Sequence, residues 1–336
     1  MHWNMKEWRN GILNSRKRMA IPIMTHPGLH FTGEKTIDAV KSGECNSAAV
    51  IALDREFPAG AATMMMDLSV EAEAFGASIL FKENEVPTVS ARLVTDGKSI
   101  SNLVVPDLQS GRLPEYIKAA RLIVEGIHDR PVLAGCIGPF SLAGRLFDVA
   151  EIMTAILIEP EAIHELLGKC ARFLGEYVLE YKRAGVNGII MAEPAAGMLS
   201  SDLCREFSSR YVREIVAKTR DDAFLFVLHN CGNTDSLLSA MQFADADGYH
   251  FGNANHMEAT LRDMPSDKLV LGNLDPVRVL KLGKSEDVIR ETSLLLEKTA
   301  MYPNFILSTG CDTPPGVPLE NIRAFYEALA RYNERR

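Results

Sequence analysis

Short apolar runs alternate along the chain with longer stretches in which apolar residues recur at the period of a helix. The short runs predict buried strands, and the longer stretches predict amphipathic helices. The runs that we interpret as strands are 20–24, 61–66, 131–137, 186–192, 224–227, 246–250, 268–271 and 305–308. Helices are predicted over about 35–42, 46–57, 112–127, 141–158, 160–184, 201–219, 234–242, 256–263, 285–299 and 319–332.

The order of these elements predicts the fold class. Strands that alternate with helices form βα units and a parallel sheet. Roughly eight such units predict a closed α/β architecture, the (β/α)8 or TIM barrel. Residues 3–15 predict an amphipathic helix before the barrel, and the alternation over 77–95 predicts an inserted β-hairpin. We expect one domain over 1–336, in which 1–19 form an N-terminal helical extension.

Composition and charge narrow the class of protein. The chain has 336 residues, of which 47% are hydrophobic and 24% charged, as is typical of globular proteins. Its net charge of −8 argues against a surface for nucleic acid or anionic membranes. No apolar run approaches the ~20 residues that span a bilayer, and the first residues lack the apolar segment of a secretory signal. We therefore expect a cytoplasmic protein with reduced cysteines.

Polar residues follow several of the predicted strands. In a TIM barrel the carboxyl ends of the strands meet at one face, where catalytic side chains lie. We therefore expect these residues to share one pocket. The residues are His26, Asp67, Glu193, His229, Cys231, Asn273, Asp275 and Cys311.

Three of these residues have the character of metal ligands. His229 and Cys231 are two positions apart after an apolar run, so an extended backbone directs both to the same side. Cys311 follows the last apolar run. One imidazole and two thiolates are typical of a catalytic zinc site, in which three protein ligands leave a fourth position open. A buried histidine and cysteines with packing roles are the alternative for so short a motif.

Longer motifs carry a resemblance to a known family. They are Asp-Leu-Ser-Val-Glu-Ala-Glu-Ala-Phe-Gly at 67–76, Gly-Pro-Phe-Ser-Leu-Ala-Gly at 138–144 and Gly-Asn-Leu-Asp-Pro at 272–276. With them the chain resembles the uroporphyrinogen decarboxylase superfamily over nearly its whole length. It is most similar to the zinc-dependent methyltransferases, which are marked by His-x-Cys, here 229–231, and a distant Gly-Cys-Asp-x-Pro-Pro-Gly, here 310–316.

The resemblance implies a cofactor, a donor and an acceptor. Zinc would be held by His229, Cys231 and Cys311, and the methyl donor would be a methylated corrinoid on a partner corrinoid protein. The acceptor would be a small thiol such as coenzyme M. Zinc with two thiolates and a neutral imidazole has no formal net charge, so a thiolate added to it stays nucleophilic. Zinc coordination also keeps a thiol deprotonated at neutral pH.

The remaining strand-end residues have weaker predicted roles. We expect Glu193 and Asp67 to be catalytic, Glu193 as a fourth zinc ligand at rest or as a hydrogen-bond acceptor beside a ligand. Each could instead be a carboxylate at the start of a helix. His26, Asn273 and Asp275 are predicted to bind substrate, although Asp275 also fits a structural turn before a proline.

Three alternatives remain open. A relative within the superfamily could methylate tetrahydrofolate or another non-thiol acceptor. A decarboxylase acting on a porphyrinogen is disfavoured, because residues 24–28 contain no arginine where the decarboxylase has an arginine-rich segment. That enzyme also typically has a histidine at the position of Cys311. A zinc-binding protein without catalysis is the alternative that is not an enzyme. His250 and His256 are interpreted as satisfied polar residues.

Overall fold

The structure is a computed structural model, and it describes residues 3–336. Its strands are β1 (Ala62–Thr63), β2 (Ile79–Lys82), β3 (Glu85–Val89), β4 (Val132–Ile137), β5 (Gly188–Ala192), β6 (Leu225–Asn230), β7 (Gly248–Phe251), β8 (Leu269–Leu274) and β9 (Phe305–Thr309). A 7-stranded parallel sheet has the order β1–β4–β5–β6–β7–β8–β9, and β2 and β3 form a separate antiparallel hairpin. The predicted TIM-barrel type of fold and the inserted hairpin are thereby confirmed.

Helices flank the strands throughout the chain. The α-helices are α1 (Met5–Leu13), α2 (Leu29–Thr32), α3 (Thr36–Lys41), α4 (Gly43–Glu56), α5 (Val70–Ala74), α6 (Gly97–Asn102), α7 (Leu113–Gly126), α8 (Pro139–Phe147), α9 (Val149–Ile158), α10 (Pro160–Arg183), α11 (Ser201–Cys204), α12 (Arg210–Thr219), α13 (Leu238–Phe243), α14 (Met257–Asp263), α15 (Ser285–Lys298) and α16 (Leu319–Glu334). Short 3-10 turns cover His26–Gly28 and Pro194–Met198, and π-turns cover Arg205–Ser209 and Pro276–Lys281. Within residues 3–336, no helix is long and apolar enough to cross a bilayer.

Among the predicted helices whose limits differ from the structure are those over 141–158 and 234–242. The helix predicted over 141–158 is two helices, because Asp148 has a φ of 91° and ends α8. Its side chain then accepts hydrogen bonds from Ala150 N and Glu151 N and begins α9. The helix predicted over 234–242 begins only at Leu238.

The predicted first strand, 20–24, does not form a regular ladder. It makes a single parallel bridge between Ala20 and Leu307 of β9. On its other side, Gly60 N donates to Ala20 O. Pro22 lacks an N–H group, which interrupts strand pairing at the centre of the segment. The segment nevertheless lies between β9 and the start of β1.

The apolar core has two layers. The larger layer packs the outer helices against the sheet. The smaller layer fills the inside of the curled sheet with side chains such as Leu133, Val227 and Ile306. Met5 and Ile12 of α1 belong to this inner layer, so the N-terminal helix covers one end of the interior. The pattern predicted this helix, which the structure places over Met5–Leu13.

Polar side chains replace the apolar ones near the carboxyl ends of the strands. Inward and outward positions alternate along a strand. Because Val227 points inward, His229 two residues later also does. The register pairs His229 of β6 with His250 of β7, and Ser308 lies on β9 beyond the inward Ile306. The interior therefore changes from apolar to polar toward this face.

Candidate metal centre

The structure brings the three predicted metal ligands together. His229 is near the end of β6, Cys231 directly follows that strand, and Cys311 follows β9. One ligand atom of each residue lies within 4.8 Å of the others. His229 is buried, whereas the two cysteines are partly exposed and carry free thiols. Nitrogen and sulfur donors in this number are the ligands that Zn²⁺ prefers.

The loop that carries Cys231 is held on both sides. Asn230 donates from Nδ2 to Glu193 O at 2.5 Å and accepts from Gly232 N at 2.8 Å. Gly252 lies against the same loop, and a Cβ atom there would be 2.3 Å from Cys231 O. Real side chains do not tolerate such a distance, so a larger residue would push the loop away. The position of the Cys231 thiol is thus fixed by its neighbours.

A hydrogen-bonded chain inside the barrel determines which nitrogen of His229 is free. Ser308 Oγ donates its only proton to Ile21 O at 2.7 Å, so it must accept from His250 Nε2, 2.8 Å away. Burial, followed by the proximity of His229, lowers the pKa of His250 and keeps it neutral. His250 Nδ1 is then an acceptor, and His229 Nδ1, at 2.8 Å, donates to it.

This tautomer has a direct consequence for metal binding. With its proton on Nδ1, His229 carries an unprotonated Nε2, which is the form that binds a metal. The chain of His229, His250, Ser308 and Ile21 O, called here the His250 relay, also fixes the orientation of the imidazole ring. The donor set therefore fits Zn²⁺ at the His229 nitrogen.

The two thiols share their protons unequally. A hydrogen bond with the Cys311 thiol stabilises the thiolate of Cys231 and lowers the pKa of Cys231. The same interaction raises the pKa of Cys311, and burial adds to this rise. This interaction therefore favours the thiolate form of Cys231, which is the form that binds a metal.

The three ligands open onto a small, mostly apolar cavity. Its volume is about 190 Å³. The hairpin insertion contributes Val86 and Pro87 to the wall, so this insertion is part of the candidate site. The lining residues are Ile23, Met66, Leu68, Val86, Pro87, Arg145, Ala192, Pro194, His229, Cys231, Cys311 and Asp312.

Glu193 does not belong to the cluster of ligand atoms. Its carboxylate accepts hydrogen bonds from Phe140 N at 2.9 Å and from Ser141 N and Oγ at 2.8 and 2.6 Å. These amides begin α8, where a negative charge is favourable. Burial raises the pKa of Glu193, and these hydrogen bonds oppose the rise. These contacts favour the alternative, a carboxylate at the start of a helix, over a fourth zinc ligand, and a catalytic role for Glu193 stays a prediction.

Asp67 is likewise engaged by its surroundings. Asp67 Oδ2 lies 2.6 Å from Arg112 Nη1, and Asp67 Oδ1 accepts from Ser69 N and Oγ. The same arginine contacts Glu73 Oε2 at 2.6 Å and donates to Val40 O. These contacts hold the loop before α5 and give Asp67 a structural position. A catalytic role for it stays a prediction.

The three predicted substrate residues do not line the cavity beside the metal ligands. His26 is buried, with Nδ1 3.1 Å from Asp312 Oδ2. Burial opposes its protonation, but the Asp312 carboxylate outweighs this effect and raises the pKa of His26. Asn273 donates to Gly252 O and Asn255 O, each at 2.9 Å, and lines a different, outer cavity.

Asp275 has the structural role that its sequence context allowed. Its carboxylate accepts from Val277 N and Arg278 N and begins the turn after β8. Like Asn273, it lines the outer cavity. Substrate binding by either residue stays a prediction. Their positions do not support it, because they line a cavity that does not contain the predicted metal ligands.

Several residues of the site were not singled out from the sequence. The sequence predicts His250 to be a satisfied polar residue, as the structure shows, but its contact with His229 depends on the register of β6 and β7. Arg145 lies in the middle of a predicted helix, so its approach to the cavity has no signal in the strand pattern. Val86 and Pro87 reach the site only because the hairpin folds over it.

Comparison with known proteins places the chain in a family. The sequence model of the family described as uroporphyrinogen decarboxylase (URO-D) matches residues 18–332. The chain belongs to this family. The resemblance that the motifs predicted is thereby confirmed.

Relatives of the chain are named for different activities. The chain is 26% identical over 319 residues to the methylcobamide:CoM methyltransferase MtbA of Methanosarcina acetivorans, with 91% of this chain and 87% of the relative covered. It is 27% identical over 283 residues to a uroporphyrinogen decarboxylase of Legionella pneumophila, with 82% and 79% covered. The predicted methyltransferase class agrees with the first of these relatives.

A solved structure has the same fold over nearly the whole chain. It is described as a methyltransferase from Methanosarcina mazei, with a TM-score of 0.88 and 22% sequence identity. The match covers 98% of this chain and 99% of that one. At this identity, the likeness supports the fold alone.

Proposed function

We propose that this protein is a zinc-dependent methyltransferase that transfers a methyl group from a methylated corrinoid to a thiol such as coenzyme M. A partner protein would carry the corrinoid. The observation that carries the proposal is the cluster of His229, Cys231 and Cys311, whose ligand atoms lie within 4.8 Å of one another. The cluster faces a cavity instead of being enclosed, which favours a catalytic site over a structural one.

The residues of the chain would divide the work in the following way. His229 Nε2 and the sulfurs of Cys231 and Cys311 hold Zn²⁺, and the His250 relay keeps His229 in the binding tautomer. When bound, zinc supplies a site at which the acceptor thiol is kept as a thiolate. The apolar wall, including Met66 and Leu68, excludes water from the reacting sulfur.

Methyl transfer then requires only the alignment of two groups. The acceptor sulfur forms a bond to the methyl carbon, and the electron pair of the carbon–cobalt bond stays on the cobalt of the donor. The proton of the acceptor thiol passes to solvent water when the thiol binds, before this step. No side chain has to act as an acid on the donor, which is consistent with a cavity wall that is mostly apolar.

The alternatives have less support from the site. A porphyrinogen carries several carboxylates, whereas Arg145 is the single arginine or lysine among the residues that line the cavity. A non-catalytic zinc protein would not need a cavity at the ligands. A tetrahydrofolate acceptor has no specific observation in its favour.

The test uses methylcobalamin as a surrogate donor. Purified protein with about one zinc per chain is expected to demethylate it in the presence of coenzyme M, followed by absorbance, with the methylated thiol identified by mass spectrometry. Zinc-free protein is expected to be inactive and to recover on addition of zinc. Demethylation that is equally fast without zinc would overturn the proposal. Turnover with a folate but with no thiol would move it to the alternative acceptor.

A further inference from the structure

Among residues 3–336, Arg145 is the one arginine or lysine whose side chain lines the cavity beside the candidate metal ligands. It lies on α8 and is partly buried. Within residues 3–336, it forms no ion pair and donates no side-chain hydrogen bond to the protein. The guanidinium of Arg112, in contrast, is paired within the protein, since it contacts Asp67 and Glu73 at 2.6 Å each. Arg145 therefore has donors to offer to a ligand.

The carboxylate of the same cavity does not neutralise Arg145. Asp312 Oδ2 lies 3.1 Å from His26 Nδ1, and Thr25 Oγ1 donates to Asp312 Oδ1 at 3.4 Å. The carboxylate of Asp312 is therefore bound by Thr25 and His26 and makes no ion pair with Arg145. A guanidinium presents five N–H donors in a plane that matches carboxylates and other oxyanions. Beside an apolar wall, such a group favours an anionic ligand over water.

The size of the cavity limits what that ligand can be. About 190 Å³ is available, whereas drug-sized ligands occupy sites of roughly 300–1,000 Å³. A molecule that reaches from the cluster to Arg145 is therefore short. It must carry sulfur at one end and negative charge at the other.

We propose that Arg145 binds the anionic end of the methyl acceptor, which is accordingly a short thiol with a terminal sulfonate or carboxylate. This inference rests on the proposed function, because it assumes that a thiol is bound at the cluster. Arg145 selects the acceptor by charge and sets its orientation, so that the sulfur faces Cys231 and Cys311. It takes no part in the bond changes.

The test compares thiols that share sulfur and two methylene groups but differ in the terminal charge. They are 2-mercaptoethanesulfonate and 3-mercaptopropionate (anionic), 2-mercaptoethanol (neutral) and cysteamine (cationic). Wild-type protein is expected to have the lowest KM for the anionic thiols. Arg145→Ala should raise that KM about 10- to 100-fold with little change in kcat, the loss expected for one charged hydrogen-bonded contact. The KM for 2-mercaptoethanol should hardly change.

Two controls isolate the charge of Arg145. Arg145→Lys keeps the charge without the planar donors and is expected to recover part of the loss. Arg172→Ala removes an exposed arginine of α10, outside the cavity, and should behave like wild type. The zinc content of all variants should be equal. Comparison of the KM values for 2-mercaptoethanesulfonate and 3-mercaptopropionate identifies which anion is preferred.

A binding measurement separates this proposal from the proposed function. Ethanesulfonate has the anionic end but no thiol, so it can be neither methylated nor bound through sulfur. Calorimetry on metal-free protein is expected to detect its binding to wild type and a loss with Arg145→Ala. If it binds and no thiol is methylated, the proposed function fails and the anion site stands. Equal affinity of wild type and Arg145→Ala for ethanesulfonate, or equal preference among the thiols, would overturn the role of Arg145.

Discussion

Two sides of the same barrel face use polar residues in opposite ways. On the cluster side, between β6 and β9, donor atoms of His229, Cys231 and Cys311 converge on a cavity. On the carboxylate side, between β1 and β5, the oxygens of Asp67 and Glu193 are bound by backbone amides, hydroxyl groups and an arginine. Residues of both sides follow strands, yet the candidate metal-ligand atoms that face the cavity come from the cluster side.

The difference indicates which polar residues at the ends of strands have structural roles and which can bind a metal. A carboxylate there lies close to the amides that begin the next helices, which it can bind favourably. Thiols are weak hydrogen-bond partners, so backbone groups do not compete for them in the same way. We therefore expect substitutions on the cluster side to affect metal binding and those on the carboxylate side to affect stability.

The largest expected effect is on the cluster side. Cys231→Ala removes one of the three ligands, so the zinc content is expected to fall from about one per chain to near zero, and methyl transfer with it. Cys311→Ala should behave in the same way. Metal analysis by mass spectrometry measures this loss, and circular dichroism checks that the variants fold.

Cys45→Ala is the matched control, because Cys45 is also partly exposed but lies on α4, outside the cluster. It should keep both zinc and activity. Full zinc binding by Cys231→Ala would contradict the expectation that the cluster side binds the metal.

On the carboxylate side, Arg112→Met should cost stability and leave zinc in place. It removes the partner of the buried Asp67 carboxylate, and breaking such a buried pair costs about 3–5 kcal/mol of unfolding free energy. Denaturant unfolding measures the loss. Arg121→Met on α7 is the control, since its contact with Glu180 is at the surface and is expected to contribute at most about 1 kcal/mol. A stable Arg112→Met variant that has lost zinc would contradict the comparison.

The fold was largely predictable because its signals are local. The alternation of apolar runs with helical stretches identified the parallel sheet, and the failure of a regular strand at 20–24 has a local cause in Pro22. The cluster of His229, Cys231 and Cys311 could also be predicted, since His229 and Cys231 are neighbours in sequence and Cys311 has a distinctive context.

The partners of the strand-end carboxylates could not be read from the sequence. Glu193 binds the start of α8, which comes much earlier in the chain, and Asp67 binds an arginine before α7. Such contacts depend on how helices pack around the sheet, which no local pattern encodes. For the same reason, Arg145 and His250 entered the site only with the three-dimensional arrangement.

A third prediction concerns Glu71, also on the carboxylate side. Burial raises the pKa of Glu71 from 4.5 to about 7. The folded state therefore binds the proton more tightly than the unfolded state, and the contribution of Glu71 to stability is lost as the pH rises from 4.5 to about 7. Glu71→Gln, which has no charge to bury, should gain stability relative to wild type over this range, by about 3 kcal/mol at pH 8 and little at pH 4.5.

Unfolding free energies measured at a series of pH values test this dependence. Glu125→Gln, at an exposed position of α7, is the control and should differ from wild type by the same small amount at every pH. A difference between wild type and Glu71→Gln that does not change with pH would mean that the pKa of Glu71 is the same in the folded and the unfolded protein, which would contradict the prediction.

The smallest effect on the protein is expected from a substitution of His250, which contacts the cluster without being one of its predicted ligands. This substitution tests whether residues around the cluster also contribute to zinc affinity. His250→Leu removes the closer acceptor for His229 Nδ1–H, His250 Nδ1 at 2.8 Å, and leaves only the backbone oxygen of residue 250 at 3.2 Å, so the tautomer and orientation of His229 are held less firmly. Zinc affinity is expected to fall about 10- to 100-fold, as for other residues that orient a ligand. His250→Asn can present an oxygen to His229 and should recover part of the affinity. Competition with a chelator measures the three affinities. If folded His250→Leu binds zinc as tightly as wild type, the relay does not select the tautomer, and the backbone oxygen of residue 250 is a sufficient acceptor for His229 Nδ1–H.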